Sequence, residues 1–462
     1  MVTERKKINH LLWRAGFGPS VQQVQQFTTK ETALQSLFRD SINYSPIDII
    51  PEENHTREDV MNLSKEEMKG MRQESRRQVR DVSETWVKLL FKDENALREK
   101  MSIFWHGHLA CRPQAGYHAQ QYANVIRKHA LGNFGSLLME VSKSPAMMKY
   151  LDTMKNQKGS PNENFARELM ELFTLGKGNY SEEDVKNAAR AFTGWSITPP
   201  DHFIIRSEKH DSGIKEIFGK RGDFSGDDVI QMILKNKQTA IHITTKIYRF
   251  FVNEKVNEKR VSDLAALFYD SDYDIEKLMK EIFSSSWFYE EENIGVKIKS
   301  PIELLAGIVR AFKISSNNSR SLQFPQRIMG QELLYPPNVA GWPGGKNWMD
   351  GSTLMFRLNL ADSMLFGKNY EVSAKSEVEE MMHQNNIIND SKTEADWNQF
   401  IKMFASDPED KIFESVSSFL IQPTLLKTGQ SNIDSFTTKN TKQNYILSLA
   451  EQLLSMPEYQ MC

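Results

Sequence analysis

The stretch Ser160-Pro161-Asn162-Glu163-Asn164-Phe165-Ala166-Arg167-Glu168-Leu169-Met170-Glu171-Leu172-Phe173-Thr174-Leu175-Gly176 decides the fold class. Ser160 at the N-cap, Pro161 at the first helical position and Glu163 two residues on spell a helix start. Gly176 stands where a left-handed residue ends a helix. Between them Phe165, Leu169 and Leu172 recur at helical spacing and predict a core-facing stripe. Asn164, Glu168 and Glu171 fall on a second, polar stripe. The pattern predicts a helix over 160–176.

The same punctuation repeats along the chain. Ser181 caps a following helix whose first turn holds Glu182, Glu183 and Asp184, and Gly194 ends it. Ser20 and Gln23 match a capping box after the glycine turn at 14–19. Met101, Phe104, Trp105 and His108 share one face of a helix at 94–110. Residues 57–92 carry Arg72, Arg76, Arg77 and Arg80 among Glu and Gln, then turn apolar. They read as a long helix with one solvated face rather than a basic binding arm. Asp227 and Asp228 open a helix through Leu234. Others are expected at 240–252, 260–270, 274–285, 300–312 and 445–454. Only 202–220 reads differently. Phe203-Ile204-Ile205 and Ile214–Phe218 are strand-like and flank Glu208–Gly213, predicting a β-hairpin with its tip at 208–213. The fold class is therefore mainly α: a large multi-helix globular domain at 1–365 with a small β-hairpin insertion. A C-terminal helical extension follows at 366–462, with a polar loop near 427–443.

Composition limits the function classes. Of 462 residues, 39% are hydrophobic and 26% charged, which supplies a core and excludes a disordered chain. Lys+Arg total 58 against 60 Asp+Glu, so the net charge of −2 gives no nucleic-acid footprint. Cys111 and Cys462 make no disulfide framework and no four-thiolate zinc site. No apolar run reaches the roughly 18–20 residues of a membrane span. No signal peptide is legible at the first residues. The expected compartment is the cytoplasm, or outside the cell if a leader has been removed.

Several segments in fixed order carry a resemblance. They are His10–Gly18 (HLLWRAGFG), Phe104–His108 (FWHGH), Asn162–Gly176 running on to Ala191–Trp195 (AFTGW), His210-Asp211 with Lys215 and Phe218-Gly219, and Pro336–Gly345 (PPNVAGWPGG). Together, over 8–357, they resemble the bacterial "domain of unknown function 1800" family. The resemblance implies no established activity. It does imply frequent export and a frequent genomic neighbour from a sulfatase-like family.

Within these motifs some residues are chemically capable. Glu168 and Glu171, one turn apart, fit a divalent metal or a shared proton, or else a solvated acidic face. His106 and His108 resemble a ligand pair, but residues i and i+2 point about 200° apart on a helix. His108 therefore reads as a core histidine, and His106 as the one that turns to a polar pocket. His210 and Asp211 form an acid/base candidate or plain turn chemistry. Trp342, Trp348 and Tyr335 form an aromatic platform or pin a rigid loop, the latter being favoured. The leading expectation is a metal-dependent hydrolase or transferase. Its catalytic set is Glu168, Arg167, His210 and Asp211, with Arg167 holding an anionic group. Its metal set is His106, Glu168, Glu171 and His210, with a divalent metal as cofactor. The alternative is a non-catalytic scaffold or a glycan- or protein-binding module. No nucleophile elbow, phosphate loop or dinucleotide fingerprint occurs.

Overall fold

The helix Ala96–His108 is the spine of the molecule, and every residue in it except Gly107 is buried. Its apolar face alone cannot explain this, because Arg98, Glu99 and Lys100 are buried too. A buried charge needs a partner. Glu99 receives Arg127 at 2.8 Å and the Trp86 indole N–H at 3.0 Å. Lys100 pairs with Glu303 and also donates to the carbonyls of Trp13 (3.1 Å) and Gly16 (2.7 Å). Arg98 donates to the carbonyls of Ser41 (2.8 Å) and Arg127 (2.7 Å).

The computed structural model describes residues 2–52, 62–198, 201–316, 320–366, 393–425 and 427–462. It is mainly α with small β insertions, as the periodicity predicts. The local helix code is obeyed where side chain and backbone settle it together. Ser20 with Gln23, Ser181 with Asp184 and Ser225 with Asp228 all close reciprocal capping boxes. The charged stretch is the helix Lys65–Leu90. Residues 57–61 of that expectation lie outside the described residues.

Three expectations need correction. The strand-like runs at 202–220 do not pair with each other. His202–Ile205 pairs antiparallel with Trp195–Thr198, and Lys215–Ile217 pairs with Lys220–Gly222. Residues 207–213 therefore connect two hairpins and are not a hairpin tip. The helix expected from 160 begins at Asn164. Ser160 instead bridges back to Gln157, and the Asn162 amide donates to Asn156 Oδ1 at 2.9 Å, so a turn consumes the presumed cap. From Leu169 to Thr174 this helix is a π-helix. Finally, the helix Lys427–Ser435 occupies the first part of the stretch read as a polar loop.

Two hydrophobic clusters form the interior. One is built from the N-terminal helices and the elements up to Leu334, and the other from residues 304–459. The fully buried helix Pro301–Phe312 serves both. Ile302 and Ala306 belong to the first cluster, and Leu304, Leu305, Ile308, Val309 and Phe312 to the second. Cys111 and Cys462 are free and buried. Among the described residues no helix is long and apolar enough to cross a membrane.

Candidate functional site

The residues singled out in the sequence do not meet at one point. Arg167 is committed to two carboxylates, Glu163 at 2.9 Å and Glu182 at 2.7 Å. Glu171 accepts the Tyr180 hydroxyl at 2.6 Å. Glu168 is half-buried, and burial together with neighbouring Glu171 raises its carboxyl. His210 donates from Nδ1 to the Thr193 carbonyl at 2.8 Å. Asp211 accepts Arg190 Nε at 2.7 Å and the Gly213 amide at 2.9 Å, which is turn chemistry on the end of the helix Glu182–Ala191. Arg190 and this turn bonding hold its carboxyl below the usual range.

The two histidines exchange the roles expected of them. His106 is fully buried, edge-on to Trp342 and packed against Trp86. Its Nε2 accepts the Leu334 amide at 2.9 Å, so the proton sits on Nδ1, 3.3 Å from the Tyr122 hydroxyl. Burial lowers its pKa to about 3, and both nitrogens are engaged. Among the described residues no three His, Cys, Asp or Glu side chains are grouped so as to hold a metal ion. The expected set of His106, Glu168, Glu171 and His210 is thus not such a group.

His108, read as core filler, belongs to a cavity wall. The π-helix explains its orientation. Its bonding runs one residue further back than in an α-helix, so the Leu175 amide donates to the Met170 carbonyl at 2.9 Å. Carbonyls at the end of a helix lack intrahelical partners. Side chains from other elements supply them here. His108 Nε2 donates to Phe173 O at 3.0 Å, while Lys246 Nζ (3.3 Å) and His242 Nε2 (3.4 Å) approach Leu172 O. The negative end of the helix favours a cation there. With Nε2–H committed, His108 Nδ1 is a buried acceptor with no partner among the described residues.

The cavity has a volume of about 500 Å³. Phe104 and Gly107 of the spine helix form one side, and Trp342 through Gly345 of the proline-glycine loop form another. Lys246, Arg249 and Phe250 come from the helix Lys237–Phe251, with Lys297 and Glu303 at the floor. The loop docks closely: Gly341 has φ +82°, and a Cβ there would overlap the Gly107 carbonyl. Trp348 is buried and Trp342 half-buried, so the tryptophans pin the loop as expected while Trp342 also lines the cavity.

Lys246, Arg249 and Lys297 line this cavity together with two carboxylates, Glu254 and Glu303. Burial, then Arg249, lowers Lys246 to about 8. Burial, then Arg14, lowers Lys297 to about 8. Lys299 falls to about 7 by burial and lies 3.7 Å from the centres of the Trp13 and Tyr459 rings. Glu303 faces these cations. Burial alone would raise its carboxyl, but Lys100 and Lys297 outweigh it and hold it at about 2. Among the described residues neither Lys246 nor Arg249 has a carboxylate partner. Sequence reasoning missed both, because a basic pair at i and i+3 on an amphipathic helix looks like any solvated face.

Fold and site together define a mainly helical protein with a cavity lined by aromatic and charged side chains under a proline-glycine-tryptophan loop. The chain belongs to the family described as "Protein of unknown function (DUF1800)", which matches residues 10–461. That match continues past about 370, where the motifs recognisable in the sequence end. No curated protein and no solved structure matches the chain.

Proposed function

We propose that this chain is a binding protein for a small oxyanion-bearing molecule, a carboxylate or phosphate on a ring-shaped or apolar body. The observation that carries this reading is the pair of cations with no carboxylate partner among the described residues, Lys246 and Arg249, beside the aromatic surfaces of Trp342, Phe104 and Phe250 in one cavity. Its size falls within the range of small-molecule sites, and few polar groups in an aromatic setting are what such sites present. The anion would sit on Lys246 and Arg249, and the ring on Trp342.

The metal-dependent hydrolase or transferase has less support, because among the described residues its proposed ligands are not grouped so as to hold a metal ion. Metal analysis by mass spectrometry distinguishes the two. A chain purified without added metal is expected to carry no stoichiometric ion that a Glu168→Ala, His210→Ala double variant loses. Such a loss would restore the metalloenzyme. The binding reading is tested by calorimetry against carboxylated and phosphorylated small molecules and their neutral analogues. Anionic compounds are expected to bind, with affinity reduced about tenfold or more in Lys246→Met. A screen without anionic hits, or hits indifferent to Lys246→Met and Trp342→Ala, overturns it.

A further inference from the structure

A second feature lies apart from this cavity. Arg72, Arg76 and Arg80 follow one another at i, i+4 and i+8 on the helix Lys65–Leu90 and line a groove of about 1370 Å³. Arg112, just past the spine helix, and Arg327, from the helix Arg320–Ile328, line the same groove. Arg327 is paired with Glu332 at 2.9 Å. Among the described residues Arg72, Arg76, Arg80 and Arg112 have no carboxylate partner. Arg77 is the contrast, because it lies outside the groove and pairs with Glu74 at 2.6 Å. Like charges on successive turns destabilise a helix by roughly 0.2–0.5 kcal/mol per pair. No carboxylate among the described residues offsets this stripe, which leaves its guanidinium groups open to a ligand.

The chemistry of the groove selects among anions. Guanidinium forks fit planar or tetrahedral oxyanions two bonds at a time. The stripe from Arg72 to Arg80 runs roughly 12 Å at 1.5 Å per residue, and the groove exceeds the usual volume of a small-molecule site. A polymer is the right size. Between the arginines the surface is apolar and adaptable: Met68, Met71, Val79, Pro113 and Ile328 line it, and Met71 is 37% exposed. Methionine surfaces accommodate apolar side chains of varied shape. Nucleic acids and sulfated polysaccharides offer anions without such side chains, whereas a peptide offers both.

We propose that this groove binds an acidic peptide segment of a partner protein, with its carboxylates on the arginine stripe and its apolar side chains on the methionine floor. The probe is a labelled sixteen-residue peptide alternating glutamate with leucine and methionine, followed by fluorescence anisotropy on the full chain. Binding is expected to weaken with salt and to fall about tenfold or more in the Arg72→Glu, Arg76→Glu double variant. Arg77→Glu, on the outward face, is expected to change it less than about twofold. Circular dichroism checks that each variant keeps its helix. The proposal is overturned by any of three results. These are no binding of the peptide, equal binding by the double variant, or tighter binding of a glutamate-glycine peptide, a single-stranded oligonucleotide or a sulfated polysaccharide.

Discussion

At Lys246 burial and the neighbouring Arg249 both disfavour the ammonium, and the amine titrates at about 8 instead of 10.5. The unfolded chain therefore holds a proton between about pH 8 and 10.5 that the folded chain has lost. By linkage this group makes stability rise with pH across that window, and below it the penalty is constant. An anionic ligand needs the ammonium, so its affinity is expected to be highest below pH 8 and to fall as pH rises through it. Calorimetric titrations from pH 6.5 to 9.5 on wild type and Lys246→Met test this. A flat wild-type profile would remove Lys246 from the binding reading. Glu303 is a different case. Its carboxylate is the shared partner of Lys100 and Lys297. Removing one member of a buried pair leaves the other uncompensated, at about 3–5 kcal/mol. Glu303→Gln is expected to lose that much in urea unfolding, and a loss under about 1 kcal/mol would contradict its role as anchor. None of this was legible in the sequence. The i, i+2 geometry separated His106 from His108, but which one faced a cavity depended on Leu334, Trp342 and Phe173, each far away in the chain.

At the scale of elements, what could be read was local. Ser20, Ser181 and Ser225 each cap a helix whose third residue reaches back, and both partners lie within four residues. What could not be read was pairing with a distant partner. The strand-like runs on either side of 208–213 each found another neighbour. The 160–176 stretch departed from its reading at its start and in its bonding, while Gly176, at φ +81°, ends it as expected. A turn anchored on Asn156 took its cap, and carbonyl partners on other helices stabilised a π-helix that a 3.6-residue period cannot express. In the loop at Pro336–Gly345 the approach of Gly341 to the spine helix admits no side chain. Gly341 has φ +82° against the Gly107 carbonyl, so Gly341→Ala forces both strain and overlap. The expected cost is about 1–3 kcal/mol. Hydrogen exchange should show it as faster exchange confined to the loop and the end of the spine helix, with weaker anion binding. Unchanged exchange there would mean that the loop does not depend on this contact.

For the whole molecule, the sequence suggested a body at 1–365 and an extension at 366–462, because recognisable motifs stop and polar residues accumulate. The packing ties the two segments together. The helix Pro301–Phe312 gives one face to each hydrophobic cluster. Asn9 Nδ2 donates to Ser418 O at 2.8 Å, and the Lys299 ammonium donates to Tyr459 O at 2.6 Å. Arg357 Nη2 donates to Lys299 O at 2.6 Å and its Nε to Gln460 Oε1 at 3.1 Å. Lys299 stands between Ile298 and Ser300, which line the cavity, so the C-terminal segment helps to hold that wall of the candidate site. A chain ending at Phe366 would expose Leu304, Leu305, Ile308, Val309 and Phe312 on a single face and leave Lys299 without its carbonyl. An exposed apolar face of that kind drives association. The truncated chain is expected to aggregate or to melt without a cooperative transition, while the full chain unfolds in one step by calorimetry and circular dichroism alike. A monomeric truncation melting at the same temperature as the full chain would instead make the first segment an independent domain. The cavity would then have to be explained without the C-terminal helices.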